Sequence, residues 1–558
     1  MPHVRIPSPL WLVPAFLACA GRQPRPAPLA PELAIAESLY ADLRDMRDHI
    51  DVTLAAGHTG LTQATPAAEW IRRHNQLRRT VATQLRAIDS SQLEDEDRRA
   101  LGVMRRTLER DLDTLALPMT VTVESRATIP NCTYDARALA GLPRGLDSLR
   151  TRIYACYGWV QSHVIAGRDT LDRLTILGSL GRTADSARRR QLFLALDPVW
   201  RSINRDNDSL SPYRVLVNED VRRQRGGPPS LVQARASGLA PDSLERWLVA
   251  MLETWRRSNP ASLIEPWDWY YRVGEASRSL SPGISRERLI RLNAEVFQSL
   301  GVDVAALGVH YDVDPREGKT PVAYTTFGAR PRYLNGRWRP GKPWVVATYR
   351  TGGLDNLNEL LHETGHAVHI AAIRTRPAFA DWPDSDPFTE AMADFIALEV
   401  YEPVWQQRWL GDSVPQAEGL RARYAGIIMD VAWALFELRM QRDPTSDPNQ
   451  VWTALTRDYL RIRPHPELSW WAMRGQLVDA PGYMMNYAAG AMLIAAIRER
   501  TREIHRAFTT GDGSWYGWIA PRLFRFGLEK PSREVIEEFL GGPVSPQAIL
   551  DDMRRMGD

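Results

Sequence analysis

The chain has 558 residues, 44% of them hydrophobic, which suffices for a large buried core and excludes a disordered chain. Its 70 basic and 67 acidic residues leave a net charge of +3 with no long run of one sign, so nucleic acid is not an expected partner. Nearly all the cations are Arg; Lys stands only at Lys319, Lys342 and Lys530, which reads as a coding bias.

At the N-terminus, Arg5 precedes the short apolar run Leu10 to Ala18, and Cys19 follows. The run is too short to span a bilayer and has the layout of a secretory signal. Phe16-Leu17-Ala18-Cys19 resembles a bacterial lipoprotein cleavage site, with Phe16 where Leu is usual. Residues 20–32 form a Pro-rich linker that would stay extended. The expectation is an exported protein, periplasmic or held to a membrane only through an N-terminal lipid. The chain has two further cysteines, Cys132 and Cys156; in an oxidising compartment they either pair or stay as two buried thiols.

From Pro31 to about Leu115 the pattern is helical: Ile35, Leu39, Leu43, Met46 and Ile50, then Leu77, Val81, Leu85 and Ile88, recur at the 3.6-residue period. Thr120 to Val123 reads as a short extended piece. Helical patterns return from Leu146 through Ile203 with a break near Gly178 to Thr183, and Ser209 to Ser230 reads as loop. Leu244 to Trp255, Trp267 to Ala276 and Arg286 to Leu300 are further helices. His49, His58, His74 and His163 lie singly here and fit surface or core positions better than ligation.

The texture changes at Gly308. Val309 to Asp314, Pro321 to Phe327 and Pro343 to Tyr349 are strand candidates, with turns at 315–319 and 334–337. A strand edge here could pair with an extended peptide backbone, which makes Ala323 and Tyr324 candidate substrate contacts.

Leu361-His362-Glu363-Thr364-Gly365-His366 follows. On a helix the two histidines lie one turn apart on one face, close enough to share a metal ion, with Glu363 flanking them. Asp355 and Asn356 are the expected N-caps, with a start near Leu357 and an end near Thr375 before Pro377. A second helix is expected with Asp386 as N-cap and Pro387 at its first position. It puts Glu390 and Asp394 one turn apart: Glu390 would complete a zinc site of two His and one Glu, and Asp394 would accept the spare N–H of a ligand histidine. Glu399 is the fallback ligand. Farther on, Tyr483 and Tyr487 share one face of a helix, where a phenol can donate to an oxyanion. His465 is a weaker candidate for the same cleft.

Asp314 to Lys319, the strand ending Thr326-Phe327-Gly328, the His362 helix and Gly482-Tyr483 with Tyr487 resemble the catalytic half of the thimet oligopeptidase family. Phe388-Thr389-Glu390-Ala391-Met392-Ala393-Asp394 is closer to the related angiotensin-converting enzyme group. The resemblance covers about residues 305 to 500 and departs at Gly490, where the thimet group tends to place Tyr. It implies a mainly α, two-lobed metallopeptidase with a deep channel, a small β-sheet beside the active-site helix, one zinc ion, and short peptides as substrates. Residues 33–300 form the N-terminal helical region and 301–558 the catalytic region, expected to fold together as a monomer. In the expected chemistry zinc activates a water, Glu363 moves its proton to the leaving amine, and Tyr483 or Tyr487 stabilises the oxyanion. The alternatives are a carboxypeptidase or dipeptidyl carboxypeptidase of the same clan, and a catalytically silent surface binding protein.

Overall fold

The computed structural model describes residues 31–55, 67–110 and 132–557, apart from positions 143, 225, 260–261, 317–318, 320–321 and 335. The N-terminal signal, the linker and Thr120 to Val123 lie outside the described residues. Within them the chain is mainly helical, with one three-stranded sheet and two short hairpins.

The helical N-terminal stretch resolves into Pro31–Ala55, Ala67–Ala87 and Asp95–Arg110. Two expectations fail. A hairpin, Val164–Ala166 with Asp169–Leu171, interrupts the region read as helical, and the break read near Gly178 to Thr183 comes only at its end, because helix Arg173–Arg182 runs through Gly178 and stops at Thr183. Ser209 to Ser230 contains the helix Pro212–Arg223; Pro212 opens it, where a missing N–H has no intrahelical partner to lose. Cys132 and Cys156 are disulfide-bonded, with Cα atoms 5.4 Å apart.

In the sheet, the central strand Lys342–Val346 pairs in parallel with His310–Asp312 and antiparallel with Tyr324–Ala329. Lys319 anchors it: the buried ammonium donates to the Asp312 carboxylate and to the Asp312, Asp314 and Ala347 carbonyls. A cation removed from water needs such a ring of acceptors.

Two large cores divide the molecule. One joins residues from Tyr134 to Trp269 with Leu420 to Ala495 and Ala548 to Met556. The other joins Ala276 to Val414 with Leu493 to Phe539. Helix Met484–Ile504 contributes to both, so its start is buried in one core and its middle in the other. The N-terminal helices form a smaller cluster with Ala378 and Phe379 and attach through charge, with Glu37 on Arg376 and Asp48 on Arg330. No helix among the described residues is long and apolar enough to cross a membrane.

Candidate metal centre

The His362 helix spans Leu354–Ala372, starting three residues earlier than the capping pattern suggests and ending before Thr375. Asp355 and Asn356 lie inside the first turn. The N-cap position is Gly353 at φ 112°, and the Leu354 N–H is satisfied from outside the helix by Ser281 Oγ at 3.0 Å. The second helix is Asp386–Ala397, and its N-cap is Ser385 rather than Asp386, with Ser385 Oγ accepting the Phe388 N–H. Pro387, read from the sequence as the first helical residue, is the second, within the first turn.

The two helices cross where Gly365 faces Ala393. A Cβ on Gly365 would come 2.6 Å from the Ala393 carbonyl oxygen. That close approach brings His362, His366 and Glu390 together, each offering one ligand atom within 4.8 Å of the others. Glu390 Oε2 lies 3.4 Å from His362 Nε2 and 3.7 Å from His366 Nε2. Ligand atoms bound at zinc distances in a tetrahedron stand roughly 3.3 Å apart, so the donor set fits a divalent metal with a fourth position left over. Glu399, the fallback ligand, is buried against Arg498 and Arg502 instead and does not join the group.

Electrostatics around the group favour a cation. Burial works against ionisation of Glu390, but hydrogen bonds from His362 and His366 outweigh it and hold the carboxyl well below the ordinary range. Burial likewise opposes a charged His362, yet the charge and hydrogen bond of Asp394, followed by Glu390, raise its pKa well above the usual value. A proton on His362 is what a bound metal displaces. Asp394 Oδ1 sits 2.8 Å from His362 Nδ1, which leaves Nε2 as the ligating nitrogen. His366 has no such tether among the described residues: its Nδ1 is buried without a partner there, and the ring packs edge-on against Trp382 at 5.5 Å.

Glu363 is 6% exposed and has a partner the sequence did not announce. Thr325 Oγ1 is 2.7 Å from Glu363 Oε2 and 2.8 Å from the Glu363 carbonyl oxygen, so its one proton is shared between them. Thr325 follows Ala323 and Tyr324, the residues read as substrate contacts. Ala323 packs on the second core, and the Tyr324 hydroxyl is buried without a hydrogen-bond partner among the described residues. The strand itself is an edge strand, with no strand paired on its outer side among the described residues. At its end, Asp45 of the first helix accepts the Arg330 N–H.

Tyr483 immediately precedes helix Met484–Ile504 and Tyr487 lies in its first turn, with ring centroids 5.7 Å apart. Gly490, farther along, faces Pro387 at the start of the glutamate helix, where a Cβ would make ordinary contact at 3.7 Å from the Pro387 carbonyl oxygen. Burial, with the charges of Asp386, Tyr487 and Glu390, pushes the Tyr483 phenol up to about 12. Burial raises Tyr487 too, against the opposing pull of Arg474. Both phenols therefore stay protonated and can donate. Arg474 lies 5.5 Å from the Tyr487 ring and lines a cavity of about 310 Å³ with Asp355, Tyr401 and Trp433.

His465 does not join these residues. Glu467 and Glu265 hold its two nitrogens at 2.7 and 2.8 Å, and Trp267 packs on its ring.

No family model and no curated protein matches the sequence. Solved structures resemble it over nearly its full length. M32 carboxypeptidase from Deinococcus radiodurans R1 is 13% identical, with 95% of this chain and 99% of that one covered at a TM-score of 0.53. A Pyrococcus furiosus carboxypeptidase is 13% identical, with 94% and 99% covered at 0.53. Trypanosoma cruzi metallocarboxypeptidase 1 is 13% identical, with 94% and 99% covered at 0.50. The chain thus shares the mainly α fold of these solved structures, and the His362, His366 and Glu390 group is built into it.

Proposed function

We propose that the protein is a zinc-dependent peptidase of short peptides. The observation that carries this reading is the convergence of His362, His366 and Glu390, with Glu363 buried beside them on the same helix. Two imidazoles and one carboxylate are a donor set suited to zinc, which when bound supplies a Lewis acid for the scissile carbonyl and lowers the pKa of water. Glu363 takes the proton of the attacking water and delivers it to the leaving amine; Thr325 orients that carboxylate. Asp394 holds the His362 ring in the tautomer that presents Nε2. Tyr483 or Tyr487 donates to the oxyanion that forms on the peptide carbonyl. The edge strand beginning at Tyr324 offers backbone groups to an extended peptide, and the cavity beside Arg474 gives room for a peptide residue near Tyr487.

An exo-acting enzyme that removes residues from the C-terminus is the second reading. It is favoured by the nearly full-length likeness to carboxypeptidases, whereas the motif resemblance to thimet oligopeptidases favours internal cleavage. An exported, monomeric protein remains part of the proposal.

Digestion of a mixed peptide library, with and without a zinc chelator, tests both readings by the product masses. Chelator-sensitive cleavage is expected. Ladders shortened only from the C-terminus support the exo reading and internal fragments the oligopeptidase reading. No cleavage by zinc-loaded protein overturns the enzyme and favours the silent binding protein.

A further inference from the structure

A buried carboxyl group sits directly beneath the tyrosine turn and has no place in the chemistry above. Glu437 projects from the long helix Gln416–Arg442, is 2% exposed, and accepts the Gly482 N–H on Oε1 at 2.6 Å. The other oxygen, Oε2, is buried with no hydrogen-bond partner among the described residues. One turn on, Gln441 donates from Nε2 to the same Oε1 at 3.2 Å, while its own Oε1 accepts the Ser230 N–H at 2.8 Å. Gly482 is pinned between the two: its φ is +87°, and a Cβ there would come 2.7 Å from the Pro229 carbonyl.

We propose that Glu437 is the positioning residue for the tyrosine pair. Its carboxyl holds the Gly482 N–H, just before Tyr483, and so fixes the turn from which Tyr483 and, one turn later, Tyr487 present their phenols. An N–H just ahead of a helix start has no intrahelical partner, and Gly482 is buried, so without an acceptor the turn must open or reorient to satisfy it. Tyr483 is the next residue, and a change in the turn swings its side chain directly. Tyr487 inherits the rotation through the first helical turn. Burial pushes the Glu437 carboxyl up to about 8, so it is protonated at neutral pH and its amide counterpart is a close mimic. This inference rests on the peptidase reading and deepens it.

The test compares Glu437→Gln, Glu437→Leu and Glu437→Asp, alone and combined with the double replacement Tyr483→Phe and Tyr487→Phe, using the best peptide from the library. Gln keeps a carbonyl acceptor and is expected to keep kcat within about twofold; Leu and Asp, which lack or withdraw it, are expected to lower kcat by about tenfold with KM little changed and zinc content intact. In the double Phe background Leu and Asp are expected to add nothing further. Asp keeps the charge type and most of the volume, so it decides the matter should Leu fail to fold. Full kcat in both Leu and Asp, Gln as damaged as Leu, or an undiminished fall in the double Phe background would each overturn the proposal. Failure of the peptidase reading looks different: the zinc-loaded native protein would then cleave no peptide at all, whatever stands at position 437.

Discussion

Gly365 on the His362 helix touches the backbone of Ala393 on the Glu390 helix so closely that any side chain at 365 would strike the Ala393 carbonyl, 2.6 Å from where a Cβ would stand. The contact lies one residue before His366 and three after Glu390, so the distance between the helices there sets whether the carboxylate reaches both imidazoles. Gly365→Ala should push the helices apart and cost about 1–3 kcal/mol as overpacking. Metal affinity should fall by more than the melting temperature alone would suggest. Titration against a competing chelator checks this, and native affinity in the Gly365→Ala variant would mean that the crossing does not set the site.

Asp394 touches no substrate, yet His362 depends on it for tautomer and orientation. Asp394→Asn keeps the shape and removes the charge that raises the His362 pKa. Metal affinity is expected to drop about 10- to 100-fold with helical content unchanged. Unaltered affinity would show that the 2.8 Å contact of His362 with Asp394 is incidental to ligation.

Glu363 and Thr325 separate under mutation. Glu363→Gln is expected to bind zinc normally and abolish turnover. Thr325→Val, nearly isosteric, removes one hydrogen bond to a charged group and is expected to lower kcat by about tenfold while leaving KM close to native. A rise in KM with native kcat would reassign Thr325 to substrate binding.

Glu437 also gives the protein a pH signature. Its carboxyl holds a proton in the folded state up to about 8, whereas the ordinary value is 4.5. Between those two values the folded chain binds more protons at this group than the unfolded chain, so this contribution to stability is fully present below the lower value and falls as pH rises. The slope is at most about 1.4 kcal/mol per pH unit. Melting curves over that window should therefore decline more steeply for the native protein than for Glu437→Gln, which does not titrate. Parallel curves would mean that Glu437 has no raised pKa.

The metal centre was legible because its residues announce themselves locally: His362 and His366 by helical spacing, Glu390 and Asp394 by the same spacing behind Pro387. What the sequence hid are contacts between distant segments. The N-cap of the His362 helix could not be read from Asp355 and Asn356, because Ser281, far upstream, satisfies Leu354. Thr325 meets Glu363 across 38 residues, and nothing in either segment signals it. The helix Pro212–Arg223 did carry a signal, Ser211-Pro212, but the prolines and glycines that follow at 226–229 masked it. His465 looked available between two prolines, and only the fold brings Glu265 to it.

The central claim is that three side chains from two helices hold one zinc ion. Anomalous diffraction at the zinc edge, from crystals of metal-loaded protein, tests it most directly. The account requires a single strong peak within about 2.0–2.2 Å of His362 Nε2, His366 Nε2 and a Glu390 carboxylate oxygen. A peak elsewhere, or one that Glu390 does not reach, would contradict it.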